Sequence, residues 1–317
     1  MTARTTSGIF GDLEVDVELD APIGRDSWFC AGGTADVLLR PRTRESVAEI
    51  VRRCRRTGTP LRLLGEGANL LVADEGVGGI VVRLDAPVFR KVERNADGEV
   101  ELVRVGAGAD LARTLMDLSR GGLAGLETLM GIPASIGGAI RMNAGGRYGA
   151  IGDAVHAVAC LDDHGEFRIY PAHELDFGYR RTNLTDPVIL WATFRVRQTD
   201  PVALRERIKE IAAYKKSTQP LAEKSAGCMF RNPTDPQTGE TVSAGRLIDE
   251  TGLKGLRIGS ASVSDVHANF ITIDRGGRAD DAIALGDEVA RRVADACGLE
   301  LRREVVVWRR EPDSAGP

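Results

Sequence analysis

Residues 131–146, GIPASIGGAIRMNAGG, constrain the chain more than any other stretch, because glycine recurs there too often for a stable helix and too regularly for a random linker. Gly131, Gly137, Gly138, Gly145 and Gly146 permit positive φ and close backbone approach, so neighbouring N–H groups can converge on an anion such as a diphosphate. Pro133 stiffens the entry, and Ser135 and Asn143 add side-chain hydrogen bonds. The same composition suits a set of tight turns, and the segment alone leaves both readings open.

A second glycine loop, LGEGANLLV at residues 64–72, comes after the apolar run PLRLL and leads into another one, which implies strand, glycine turn, strand. A Rossmann dinucleotide fingerprint needs a third glycine and a helix directly behind it. Leu70 stands at that position and the next residues are β-like, so the Rossmann reading fails. GAGADL at residues 106–111 fails in the same way at Leu111. Two glycine cradles without that signature point to a dinucleotide held in another manner.

A chain of 317 residues is long for one domain and sufficient for two. The formal charge of −4 gives no basic footprint for nucleic acid and no polybasic membrane patch. No run reaches the roughly 18 apolar residues of a membrane helix, and the opening MTARTTS lacks a signal-peptide core, so a cytoplasmic protein is expected. Five scattered cysteines without a C-x-x-C pair predict reduced thiols, and four dispersed histidines show no metal-ligand spacing, so no metal is expected.

The periodicity predicts a strand over residues 36–41 and a helix from a Thr43 cap to Gly58, with Val47, Ile50, Val51 and Cys54 on its apolar face. Arg52, Arg53, Arg55 and Arg56 on that helix read as a solvated face in preference to an anion patch. Antiparallel strands are expected between residues 79 and 110, a helix over 111–120, and a hairpin over 154–175 that makes His164 a turn residue. A strand over 188–196 precedes a change of character at Asp200-Pro201, where a basic helix over 202–216 suits a connector. Further on come a helix around 244–250 and strands near Ile258 and Phe270. Next are a helix over 279–297 with Ile283, Val289, Val293 and Cys297 inward, a strand over 299–308 and a disordered tail.

Six segments, LGEGANLLVADEG, GLETLMGIPASIGGAIRMNAGG, FGYRRTN, SAGCMFRNP, AGRLIDETGLKG and VSDVHANFI, occur here in the order and approximate spacing of the UDP-N-acetylenolpyruvoylglucosamine reductase (MurB) family. The chain resembles that family from about residue 21 to 308. The resemblance implies an α+β fold: residues 1–200 as a two-lobed FAD-binding module of the vanillyl-alcohol-oxidase type, joined by the final strand near 299–308, and residues 201–317 as a substrate-binding domain. It implies non-covalent FAD, NADPH as hydride donor and a UDP-sugar substrate whose enolpyruvyl group is reduced. Gly65, Glu66, Gly67, Ala68, Asn69, Leu70, Gly131, Ile132, Ser135, Gly137 and Gly138 would hold the cofactor, with Asn143 and Gly145 nearby.

Arg180 in FGYRRTN reads by itself as a surface charge. The resemblance makes it the cation that neutralises the substrate carboxylate, with Tyr179 beside it. Glu304 resembles the catalytic glutamate that donates a hydrogen bond to a developing enolate. Lys216, Gln219 and Asn232 match positions around the UDP diphosphate and sugar. Cys228 stands where many relatives have the serine that protonates the substrate carbon, and a buried structural thiol is its ordinary alternative. Lys224 replaces a common proline. The short run between Tyr179 and the strand at 188 lacks the substrate-closing insertion of the longer class. Rival readings are a flavin oxidase with another substrate and a non-catalytic nucleotide-binding relative. A monomer or weak homo-oligomer is expected.

Overall fold

The computed structural model describes residues 10–220 and 225–310, so Lys224 and the tail beyond residue 310 lie outside the described residues. The chain divides into two compact units. The first takes residues up to Leu19, Val37–Glu66 and Gly79–Lys215; the second takes Asp20–Asp36, Gly67–Gly78 and the chain from Lys216 onward.

The first unit contains a four-stranded sheet in the order Val15–Ala21, Ala35–Pro41, Val77–Val82, Leu61–Leu63. Helix α1, Arg44–Thr57, buries Val47, Ile50, Val51 and Cys54 as its periodicity requires. Thr43 Oγ1 accepts the Ser46 N–H at 3.1 Å, and Gly58 closes the helix at φ +64°. A five-stranded sheet runs in the order Phe167–Pro171, Val155–Leu161, Val188–Arg195, Leu102–Gly106, Val92–Arg94, antiparallel throughout. Its central strand, VILWATFR, is buried along all but its last residue, which explains a continuous apolar run in place of alternation. The turn of the first hairpin is fixed by Asp162, whose Oδ1 accepts the N–H groups of His164 and Glu166 at 2.9 Å, and His164 is the turn residue expected. Helix α2, Leu111–Arg120, is capped by Asp110, whose carboxylate accepts the Arg113 N–H at 2.6 Å.

Two expectations need correction here. Strand Val77–Val82 pairs in parallel with Leu61–Leu63, not antiparallel, because the two are joined by the long connection over residues 64–76, which includes the strand Leu70–Val72, rather than by a tight turn. The central glycine segment also contains a helix, α3, Ile136–Arg141. Ser135 caps it, accepting the Gly138 N–H at 3.3 Å, and Gly137 lies where a Cβ would sit 3.0 Å from Ala107 Cβ. Tertiary packing of a bare backbone outweighs the poor intrinsic propensity. Helix α4, Pro201–Thr218, carries Leu204, Ile208 and Ile211 inward.

The second unit has its own core, which includes Phe29, Leu71, Phe230, Ile248, Val263 and Val289. Helix α5, Ala244–Glu250, starts at Ser243, and helix α6, Ala279–Cys297, packs against the three-stranded sheet Arg257–Ile258, Ala261–Val263, Ile271–Ile273. Ile283, Val289 and Val293 are buried on α6 as expected, but Cys297 is exposed because it falls in the last turn. The terminal strand is shorter than expected, Val306–Trp308, and lies parallel to Leu70–Val72. The start of α6 is capped from a distant segment: Asp74 accepts the Ala279 N–H at 3.0 Å and the Asp280 N–H at 3.3 Å. Asp74→Ala is expected to destabilise the fold by about 1–2 kcal/mol, measured by denaturant unfolding, because it orphans two helix-terminal donors.

Candidate active site

In the first unit, the two glycine segments wall one cavity of about 310 Å³. Leu64, Gly65 and Glu66 line one side, Ser135, Gly137 and Gly138 another, and Arg83, Arg90 and Arg141 bring positive charge to it. Gly65 is required sterically, because a side chain there would collide with Ser135 Oγ. Of the five glycines in the central segment, only Gly131 uses positive φ, at +75°. Gly145 instead serves close approach, since a Cβ would lie 2.6 Å from Ala150 Cα. The Gly137 N–H donates to Ala107 O at 2.8 Å. Ile132 is half-buried beside Gly131.

Asn143 is buried and adopts φ +40°. Its Nδ2 donates to Gly178 O at 2.9 Å and its Oδ1 accepts the Gly152 N–H at 3.1 Å, so the side chain ties the glycine segment to FGYRRTN. That motif is a tight hairpin, Phe177–Gly178 paired with Arg181–Thr182, and its two-residue tip is Tyr179-Arg180. Arg180 holds φ +55°, a left-handed conformation uncommon for a residue with a Cβ. The tip projects Tyr179, 52% exposed, with the Arg180 guanidinium carbon 5.2 Å from its ring centroid.

Sequence reasoning passed over Lys215. It is 8% exposed, directly ahead of the exposed Lys216 named from the sequence, and its Cδ lies 3.0 Å from where a Cβ on Gly131 would stand. Burial, and after it the positive charge of Arg180, pushes the Lys215 ammonium down to about 8. The available signal was its spacing: positions 204, 208, 211 and 215 form one helical stripe, and only the last is charged.

The second unit gathers the other named residues. Gly67 takes φ +65°, with Ser27 Cα 3.0 Å from its Cβ position, and Ala68, Asn69 and Leu70 come next. Asn69 Nδ2 donates to Glu304 O at 3.1 Å, and the Val306 N–H donates to Asn69 O at 3.1 Å. The Glu304 N–H in turn donates to Met229 O at 2.8 Å, one residue beyond Cys228, which forms an antiparallel bridge with Phe270. The first glycine loop, the acid and the thiol therefore share one backbone network. Cys228 and Glu304 are both half-buried, and all five cysteines are thiols. Asn232 Oδ1 accepts the Ala244 N–H at 3.0 Å, supporting the start of α5, and Gln219 is half-buried just beyond α4. Among the described residues no group of three His, Cys, Asp or Glu side chains is placed to hold a metal.

Comparison with known proteins identifies what such a site accompanies. Residues 35–169 match the family described as FAD binding domain, and residues 219–308 match UDP-N-acetylenolpyruvoylglucosamine reductase, C-terminal domain. The chain is 39% identical over 288 residues to the UDP-N-acetylenolpyruvoylglucosamine reductase of Heliobacterium modesticaldum, covering 90% of this chain and 88% of that one. It is 38% identical to the enzyme of the same name from Syntrophus aciditrophicus, with 91% of each chain covered. The crystal structure of the reductase from Thermus caldophilus superposes with a TM-score of 0.76 at 39% identity, over 93% of this chain and 99% of that one.

Proposed function

The chain belongs to the UDP-N-acetylenolpyruvoylglucosamine reductase family, and from that premise we propose which of its residues bind, orient and protonate. It is an α+β flavoenzyme with an FAD-binding module of the vanillyl-alcohol-oxidase type. It uses NADPH to reduce the enolpyruvyl group of UDP-N-acetylglucosamine enolpyruvate to UDP-N-acetylmuramate, a step of peptidoglycan precursor synthesis.

FAD, when bound, supplies the hydride transfer. The first-unit cavity fits its diphosphate: side-chain-free walls at Gly65, Gly137 and Gly138 let backbone come close, and Arg83 and Arg90 offset negative charge. We assign the cofactor contacts to Gly65, Glu66, Gly67, Ala68, Asn69 and Leu70, and to Gly131, Ile132, Ser135, Gly137 and Gly138. Gly145 belongs with them, and Asn143 supports the hairpin at Gly178. The cofactor module corresponds to residues 1–200 and the substrate-binding part to 201–317, a reading supported by the family matches at 35–169 and 219–308.

Arg180 holds the carboxylate of the enolpyruvyl group and stabilises the enolate that develops on it. Glu304 donates a hydrogen bond to the same enolate, and the Cys228 thiol delivers the proton to the substrate carbon. One observation supports the pairing of Glu304 with Cys228: Asn69, in the cofactor loop, donates to the Glu304 carbonyl, and the Glu304 N–H reaches the residue directly after Cys228. Tyr179, Lys216, Gln219 and Asn232 bind the UDP portion. We place the enzyme in the cytoplasm as a monomer or weak homo-oligomer, and the location is supported by five cysteines that form no disulfide.

Purified protein is expected to be yellow and to release FAD on heating or acidification. Gly65→Ala should weaken FAD binding about 10- to 100-fold, because the added methyl forces Ser135 out of the cradle. A colourless preparation that takes up no added FAD would refute the cofactor assignment, and undiminished affinity in Gly65→Ala would refute the cradle.

A further inference from the structure

Lys215 occupies a position that an apolar residue would fill on packing grounds. It continues the inward stripe of α4 set by Leu204, Ile208 and Ile211, and it is nearly as buried as they are. Among the described residues it has no hydrogen-bond or ion-pair partner. The charge that acts on it is another cation, Arg180, from the FGYRRTN hairpin. Gly131, packed across its stem, contributes no charge, and among the described residues no carboxylate acts on it. A buried ammonium without a counter-charge, in the field of a guanidinium, is strongly unfavourable unless an anion is brought to it.

The surroundings hold Lys215 in that place. Tyr214 beside it stacks edge-on against Tyr148, ring centroids 5.7 Å apart, while the Arg147 guanidinium lies 5.1 Å from the Tyr214 ring and that of Arg207 lies 4.9 Å from the Tyr148 ring. This ladder pins the end of α4 to the loop behind the glycine segment. Gly131 is the residue that leaves room for the lysine stem.

We propose that Lys215 is a substrate-binding residue, the second cation of the Arg180 site, which holds the enolpyruvyl carboxylate together with that guanidinium. The inference rests on the carboxylate role given to Arg180 above. It explains why a costly charge persists at a core position: the bound carboxylate compensates the buried ammonium and is selected over neutral analogues by doing so.

A pH dependence results. Burial and Arg180 bring the ammonium to about 8, below its ordinary value near 10.4, so the free enzyme loses this charge as pH rises through about 8. kcat/KM for the enolpyruvyl substrate, which reports the free enzyme, should fall above that pH, and kcat should fall only at higher pH because bound carboxylate retains the proton. With its folded pKa depressed, the charged lysine destabilises the fold fully below about pH 8, and the destabilisation is relieved as pH rises towards the unfolded value.

The test uses the full-length, FAD-loaded enzyme and its Lys215→Met and Lys215→Arg variants. Lys215→Met should keep its flavin and its reduction by NADPH and melt above the native protein at pH 7. Its kcat/KM for the enolpyruvyl substrate should drop about 10- to 100-fold, the size of one charge-assisted hydrogen bond. Lys215→Arg should retain most of the native kcat/KM and lose the decline near pH 8, since it does not deprotonate there. Native kcat/KM in Lys215→Met would overturn the proposal, as would loss of flavin or a lowered melting temperature in that variant. Should the native enzyme itself fail to turn over the enolpyruvyl substrate, the functional reading fails, an outcome distinct from a native enzyme that works equally well without Lys215.

Discussion

Arg180→Lys is expected to retain flavin and its reduction by NADPH while reduction of the enolpyruvyl substrate slows about 10²- to 10³-fold. The substitution keeps a positive charge and removes the planar fork that can hold a carboxylate and its developing enolate through two parallel hydrogen bonds. The hairpin gives the reason the effect should be this large. Arg180 sits at the tip between Gly178 and Arg181 at φ +55°, and Gly178 is itself held by Asn143, so the guanidinium is aimed by strained and supported backbone. A glycine at 180 would suit that backbone better. Arg180→Gly should therefore melt no lower than the native protein and lose activity at least as severely as the lysine variant. Turnover at the native rate in either variant would remove Arg180 from the chemistry.

Cys228→Ala is the second large effect. It should leave FAD binding and NADPH reduction nearly intact, because neither step needs a proton at the substrate carbon, and slow substrate-dependent reoxidation about 10²- to 10⁴-fold, the range for loss of a positioned general acid. The backbone at Cys228 is fixed by its bridge to Phe270 and by the contacts of the adjacent Met229, so truncating the thiol removes the proton donor without moving its neighbours. Cys228→Ser should recover much of the rate, since a hydroxyl occupies the same place and relays a proton. If Cys228→Ala reoxidises at the native rate, Cys228 is a packing residue and the proton comes from Glu304 or a water.

Local signals made much of this molecule legible before its fold was known. Helices α1 and α6 announce themselves through apolar spacing, and α1 also through Gly58, which takes left-handed φ at its C-cap. The features that escaped were non-local. Helix α3 exists because Gly137 packs against Ala107, a contact between residues thirty positions apart that no propensity encodes. The parallel pairing of Val77–Val82 likewise depends on Leu61–Leu63, a strand that lies beyond the whole first glycine loop in sequence. At the site, the glycine segments stand out in sequence because unusual backbone needs unusual residues. Lys215 and Lys216 are chemically identical neighbours, and only their orientation about α4 separates a buried cation from an exposed one. Asn143 is similar: its amide lies in a glycine-rich run, while its two partners, Gly152 and Gly178, lie in other segments.

The most direct test of the account is an anaerobic two-step titration of the purified enzyme. NADPH should bleach the flavin absorbance, and adding UDP-N-acetylglucosamine enolpyruvate should then restore it, with one equivalent of UDP-N-acetylmuramate formed for each flavin reoxidised. A flavin that stays reduced in the presence of that substrate and regains its colour only on admission of oxygen would contradict it.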